Sequence, residues 1–490
     1  MKGRFFTSLL LAASSGASAA YHRIEPKNIQ GSIRVKGFYG NETQLCDSNR
    51  PHHLGWADLD NGHHLFYCKF KPQPGLHEAR HDPETAPLLV WLQGGPGASS
   101  SLGALLEHGP CLVDTGDSSK FNPHSWAEVF NIVYIDSPAG STGFSYTDDS
   151  SSPSPNTTDL VAMEVLGAID LLYEAFPHLL LLPLHVAGES YGGHWAPAVG
   201  AAIIERNKKQ SPIPLKSIIV GNGWTDPVVQ TPSLFDVACH HYYNYQPYLD
   251  HDACQQMLQF LEPCKATLRE CAATRDVRNC VATQSFCKDH ITDVVLDNRG
   301  SNPYDRRMHG CVGDCYQPMY TKLHEYLGQR ELLDDYLELS SASGGLKHKW
   351  VPEDEDAASR HLATGDFFSS VIPQLERVLS EAVDVLFYSG NADVTCNPKG
   401  VLEALKGAQW SNQVSLIRRG WEDLPWETKS GGNAGRAKRV DGLWMIDLNE
   451  AGHLVPVDQP IVVLELIREW RAYTERHRGE AQGELIIEQL

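Results

Sequence analysis

Three residues in this chain have the types and surroundings for catalysis by a serine nucleophile. Ser190 sits in Gly188-Glu189-Ser190-Tyr191-Gly192, Asp393 ends Gly390-Asn391-Ala392-Asp393, and His453 ends Ala451-Gly452-His453. A serine hydroxyl is a weak nucleophile. It needs a base, and the base needs a carboxylate to orient it. Gly-x-Ser-x-Gly is the strained turn that lifts a serine between a strand and a helix, and small neighbours give that turn room. The helix start also aims N–H groups at charge developing beside the serine. A fourth segment, Trp91-Leu92-Gln93-Gly94-Gly95-Pro96-Gly97-Ala98-Ser99-Ser100, brings glycines that let the backbone approach a substrate closely. One of its N–H groups can pair with the N–H after the serine to form an oxyanion hole.

These groups work only if strands and helices deliver them to one place. An apolar run precedes each: Pro87 to Val90, Leu184 to Ala187, Val383 to Tyr388 and Leu443 to Leu448. Serine, aspartate and histidine in that chain order, each just past a strand, is the pattern of the α/β-hydrolase fold. Strands are predicted at 31–38, 64–70, 87–93, 131–136, 184–189, 216–221, 384–389 and 443–448. The first two and their loop should form an antiparallel start. The others alternate with helices, such as Asp159 to Phe176 and Trp195 to Ile204, as in a mostly parallel sheet with helices on both faces. Residues 224–372 interrupt this rhythm. They hold a cysteine cluster and helical stretches such as Tyr320 to Leu339, and read as a disulfide-rich cap inserted into a catalytic domain of residues 20–223 and 373–490.

Residues 1–19 carry the marks of a secretory signal: Lys2 and Arg4, an apolar core from Phe5 to Ala13, and Ala17-Ser18-Ala19 as a cleavage site. No later apolar stretch reaches the roughly 18 residues that span a bilayer, so no membrane anchor is expected. Twelve cysteines behind such a signal read as disulfides, and spacing alone leaves their connectivity open. Asn41 and Asn156 begin glycosylation tripeptides. The net charge of −20 argues against nucleic acid as a partner. His77-Glu78-Ala79-Arg80-His81 matches a zinc-protease pattern that needs both histidines on one helix face. Pro72, Pro74, Gly75 and Pro83 surround it, so it reads as a loop and no metal is expected. The histidine pairs at 52–53, 63–64 and 240–241 read as surface or packing residues, and Arg436-Ala437-Lys438-Arg439 as an exposed loop.

The segments at 91–100, 131–146 (NIVYIDSPAGSTGFSY), 188–197 (GESYGGHWAP), 221–227 (GNGWTDP), 302–306 (NPYDR), 390–397 (GNADVTCN) and 451–460 (AGHLVPVDQP) together resemble the serine carboxypeptidase family, in the family's order. The resemblance implies a serine-type carboxypeptidase without a cofactor, most active in acid, acting on peptide and protein C-termini through an acyl-enzyme. It places Ser190, Asp393 and His453 in the catalytic triad, and the Gly95 and Tyr191 N–H groups in the oxyanion hole. It assigns the substrate's terminal carboxylate to Gln93, Glu189 and Glu107, with Trp91 beside them. Family members usually have asparagine where this chain has Gln93, and cysteine where it has Ala98. Thr395 and Cys396 fall at the specificity pocket, Cys396 as a reduced thiol. Family pairing joins Cys239 with Cys254, Cys264 with Cys287, Cys271 with Cys280 and Cys311 with Cys315, and leaves Cys46, Cys68 and Cys111 unassigned. It implies the secretory pathway, with a secreted or vacuolar destination. Two other functions fit the scaffold: an acyltransferase that passes the acyl group to an alcohol, and a non-catalytic protective partner.

Overall fold

Thirteen strands form the central sheet of the computed structural model. It describes residues 21–27, 29–38, 46, 52–70, 85–140, 142–148, 152–298, 300–310, 315–329 and 350–488. In chain order the strands are β1 (His22–Ile24), β2 (Ser32–Phe38), β3 (His52–Asp58), β4 (His63–Phe70), β5 (Leu88–Leu92), β6 (Asn131–Ile135) and β7 (Tyr146–Thr147). Then follow β8 (Leu184–Glu189), β9 (Leu215–Gly221), β10 (Asp384–Gly390), β11 (Glu422–Asp423), β12 (Gly435–Val440) and β13 (Leu443–Leu448). Across the sheet they run β1-β2-β3-β4-β6-β5-β8-β9-β10-β13-β12-β11, with β7 on β4. The five pairings from β6 through β5, β8, β9 and β10 to β13 are parallel, and both margins are antiparallel.

The central strands are mostly apolar and buried at every position, because both sheet faces are covered. In β5, Leu88, Val90 and Leu92 pack with α1 (Thr158–Ala175) and α2 (Gly192–Asn207). Leu89 and Trp91 face the other way, into a cluster that includes Val463, Ile467 and Trp470 of the final helix, Pro460–Glu488.

Two expectations need correction. The strands at 31–38 and 64–70 are not neighbours, because β3 pairs with both. Its sequence, His52-His53-Leu54-Gly55-Trp56-Ala57-Asp58, lacks apolar alternation, yet every residue is buried. Residues Arg436 to Arg439 are not a loop but the middle of β12. Arg436 lies over the Trp421 ring and bonds Asp447, while Arg439 lies over Trp444 and bonds Glu469. Long cationic side chains can thus cover aromatic surface while keeping their charges paired.

Between β9 and β10 the chain forms α3 (Pro227–Cys239), α4 (His251–Thr274) and α5 (Val277–Cys287). They share a separate hydrophobic cluster that includes Leu234, Met257, Leu261, Leu268 and Ile291. Disulfides join Cys239 to Cys254, Cys264 to Cys287 and Cys271 to Cys280. A fourth joins Cys46 to Cys111, and Cys68 and Cys396 are buried free thiols. Cys315 is disulfide-bonded, while Cys311 lies outside the described residues. The helix expected over Tyr320 to Leu339 is Gln317–Leu327, and residues 330–349 lie outside the description. So do the signal-like residues 1–19, Asn41 and the His77 to His81 segment. No helix among the described residues is long and apolar enough to cross a membrane.

Candidate active site

Ser190 follows β8 directly, and α2 begins two residues later. Its φ of 60° is the left-handed conformation that the elbow turn requires of a residue other than glycine. The strained backbone is held at both ends: the Ser190 N–H donates to Gly221 at 3.1 Å, and its carbonyl accepts from Trp224 at 2.8 Å. The loop after β5 comes close enough that a Cβ on Gly94 would lie 2.5 Å from the Tyr191 nitrogen and 2.7 Å from the Ser190 Cβ. Only glycine leaves room for that approach.

Asp393 and His453 arrive from the ends of β10 and β13. The His453 Nδ1 lies 2.6 Å from Asp393 Oδ2, and Asp393 is fully buried. The same oxygen accepts from Asn222 Nδ2 at 2.7 Å, and Oδ1 accepts from the Cys396 N–H at 3.0 Å. Ser190 and His453 line one cavity of about 240 Å³ with Gln93, Gly94, Gly95, Tyr304 and Leu454.

Behind Gln93 lies a buried carboxyl pair. Gln93 Nε2 donates to Glu189 Oε1 at 2.8 Å and, at 3.5 Å, to Glu107 Oε1, while its Oε1 accepts from Trp91 Nε1 at 2.8 Å. Glu107 and Glu189 are also hydrogen-bonded to each other. Burial pushes the Glu107 carboxyl up to about 7. Burial, and then the charge of Glu107, push Glu189 well above the usual carboxylate range. Two carboxyl groups this close and this dry do not both ionise, so the pair keeps at least one proton.

The remaining anticipated residues are distributed around this centre. The Tyr191 hydroxyl donates to Asp366 at 3.0 Å, which leaves the Tyr191 backbone at the head of α2. Thr395 and Cys396 do not line the cavity. The Thr395 hydroxyl donates to the Pro303 carbonyl, and Cys396 is buried behind the Asp393–His453 pair, with its Sγ and their ligand atoms within 4.8 Å of one another. Burial and then the charge of Asp393 push the Cys396 thiol well up. Asn156 is half-buried just before α1, and its carbonyl accepts from Thr364.

Two supporting residues escaped the sequence reading, although they lie in the segments at 131–146 and 221–227. One is Asn222. The other is Asp136, whose carboxylate accepts from Ser99 Oγ at 2.7 Å, Ser100 N at 2.8 Å and Phe144 N at 3.0 Å, so it fixes the loop that carries Gly94 and Gly95. An acid directly after the apolar strand β6 was the available signal.

The model of the Peptidase_S10 family, serine carboxypeptidase, matches residues 42–472. A vacuolar serine-type carboxypeptidase of Saccharomyces cerevisiae is 31% identical over 420 residues, 85% of this chain and 78% of its own length. A carboxypeptidase Y homolog A of Arthroderma otae is 30% identical over 467 residues, 93% of this chain and 80% of its own. The solved structure of Kex1, a prohormone-processing carboxypeptidase of S. cerevisiae, superposes with a TM-score of 0.67 over 90% of this chain and 92% of its own, at 20% identity. The fold is therefore shared at a level where sequence has diverged, and the matched segment contains every residue of the site. The chain belongs to the serine carboxypeptidase family.

Proposed function

We propose that Ser190 attacks the last peptide carbonyl of a substrate while His453 takes its proton and Asp393 holds the imidazole in place. The Gly95 and Tyr191 N–H groups receive the oxyanion, the C-terminal residue leaves, and water hydrolyses the acyl-enzyme. Gln93, Glu189 and Glu107 receive the substrate's terminal carboxylate, with Trp91 fixing the Gln93 amide. The observation that carries this reading is the single cavity lined by Ser190, His453, Gly95 and Gln93. It leaves room for a chain terminus between a nucleophile and an amide backed by a protonated acid.

A carboxylate binds beside Glu189 only while the carboxyl pair keeps its proton. Peptide hydrolysis therefore favours acid, whereas an ester that lacks the carboxylate escapes this limit. Residues 224–372 act as the cap, a reading supported by their own hydrophobic cluster and three internal disulfides. Those bridges and the signal-like start support passage through an oxidising secretory compartment, where Asn41 and Asn156 would be glycosylated.

The test is Ser190→Ala, with release of the C-terminal amino acid from a blocked dipeptide as the readout. Turnover should fall by several orders of magnitude with the melting temperature preserved, because the residues act as a unit. A variant that retained more than about a tenth of wild-type activity would be incompatible with this mechanism.

A further inference from the structure

Tyr388 stands in one row with Glu189, although 199 positions separate them in the numbering. The register pairs Glu189 of β8 with Gly221 of β9, and Gly221 with Tyr388 of β10. All three are on the same sheet face. Ala187 and Ile219, two residues before Glu189 and Gly221, pack in the cluster that also holds Tyr388, and strand side chains alternate with a period of two. Gly221 has no side chain to stand between its neighbours. A Cβ there would lie 2.4 Å from the Tyr388 hydroxyl oxygen, so the phenol lies across Gly221 toward Glu189.

The hydroxyl that arrives there is fully buried and has no hydrogen-bond partner among the described residues. A buried hydroxyl without a partner is costly, and an ordered water is the usual remedy. Burial holds the phenol well above its ordinary range, and the charges of Glu189 and Glu107 raise it further, which places it within their electrostatic reach. The other titratable groups around the pair are His453 toward Glu107, Asp393 and Cys396 toward Glu189, and Tyr134 toward Glu107. His108, beside Glu107 in sequence, is pushed down to about 3 by burial and is uncharged. No lysine or arginine among the described residues acts on either carboxyl group. Besides Gln93 and His453, a neutral donor is what remains to stabilise the pair's negative charge.

We propose that Tyr388 is a positioning residue for recognition of the substrate's terminal carboxylate: its hydroxyl donates, through one bridging water, to the Glu107–Glu189 pair and sets the pH at which the pair gives up its shared proton. This rests on reading Gln93, Glu107 and Glu189 as the carboxylate-binding group. A donor favours the ionised form. Without it the pair holds its proton to higher pH, and peptide hydrolysis persists further into the alkaline range.

The experiment is Tyr388→Phe, which keeps the ring and removes only the oxygen. kcat/KM is measured from pH 4 to 9 on a blocked dipeptide with a free carboxylate and on its C-terminal ester. The alkaline limb for the dipeptide should move up by roughly half to one pH unit, the equivalent of one net hydrogen bond. The ester profile should not move, and Glu189→Gln combined with Tyr388→Phe should behave as Glu189→Gln alone. A limb that stays in place or moves down overturns the proposal, as does an equal shift for the ester, which would mean a disturbed triad. The underlying reading fails separately, if the wild-type dipeptide profile has no alkaline limb or Glu189→Gln leaves that limb intact. A limb that depends on Glu189 and ignores Tyr388→Phe overturns only the role of Tyr388.

Discussion

Asn222 is the residue on which the Asp393 carboxylate most depends after His453. Its Nδ2 donates to Asp393 Oδ2 at 2.7 Å, and its Oδ1 accepts from the Gly390 N–H at 3.3 Å, so one side chain ties the aspartate to its own strand end. Asn222→Ala should lower kcat by roughly 10- to 100-fold, the equivalent of a hydrogen bond to a buried charge. Single-turnover kinetics on an ester would measure the loss, and an unchanged acylation rate would assign Asn222 a purely structural role. The sequence marked Ser190, Asp393 and His453 because each ends a strand in a recognisable order. Asn222 was not legible as a partner. It lies in the segment at 221–227, but its contact reaches across 171 positions and follows from strand order alone. The contact between Glu107 and Glu189 is hidden in the same way, since one comes from a short helical turn and the other from β8. Tyr388 is the extreme case. A tyrosine in an apolar strand reads as core until the register sets a glycine beside it.

At the scale of elements, apolar strands and amphipathic helices were readable to within a few residues, as with α1 at Thr158–Ala175 against the expected Asp159 to Phe176. The misses share a cause. Strand β3 carries paired histidines and β12 carries arginines and a lysine, whose burial depends on partners supplied by other elements. Arg436 needs Trp421 and Asp447, and His53 needs the Phe176 ring at 5.0 Å. The helical segment between β9 and β10 depends instead on covalent links. Cys271–Cys280 closes the turn between α4 and α5 with a sequence separation of 9. Replacing both cysteines by serine should destabilise this pair of helices by about 2–3 kcal/mol, through entropy returned to the unfolded chain. Limited proteolysis should then cut within residues 251–287 first, while hydrolysis of a small ester continues. If cleavage began elsewhere, or ester hydrolysis were lost at once, the segment would not be the separately held unit that its own hydrophobic cluster describes.

For the whole molecule, two sets of buried groups tilt stability in opposite directions with pH. Burial holds Glu107 at about 7 and Asp136 at about 6, both above their unfolded values. Their contribution is fully present below the unfolded carboxylate range and is lost as pH rises through 6 to 7, because the folded chain binds protons that the unfolded chain has released. His108 and His185 are pushed down to about 3 by burial. Their contribution is present above the unfolded histidine value near 6.5 and is lost as pH falls toward 3. The opposed slopes put the stability maximum on the weakly acid side of neutrality, where the carboxyl pair also keeps the proton that its proposed role in substrate binding calls for. The net charge of −20 acts in the same direction, since self-repulsion grows as the remaining carboxyl groups ionise. Glu107→Gln removes one titration from the alkaline slope and leaves the histidines untouched. Relative to wild type, this variant should gain on the order of 2 kcal/mol in unfolding free energy between pH 5 and pH 8. Denaturant titrations at the two pH values would measure the difference. A variant whose pH dependence runs parallel to that of the wild type would mean that Glu107 carries the same proton folded and unfolded, and that the acid preference of peptide hydrolysis has its origin elsewhere.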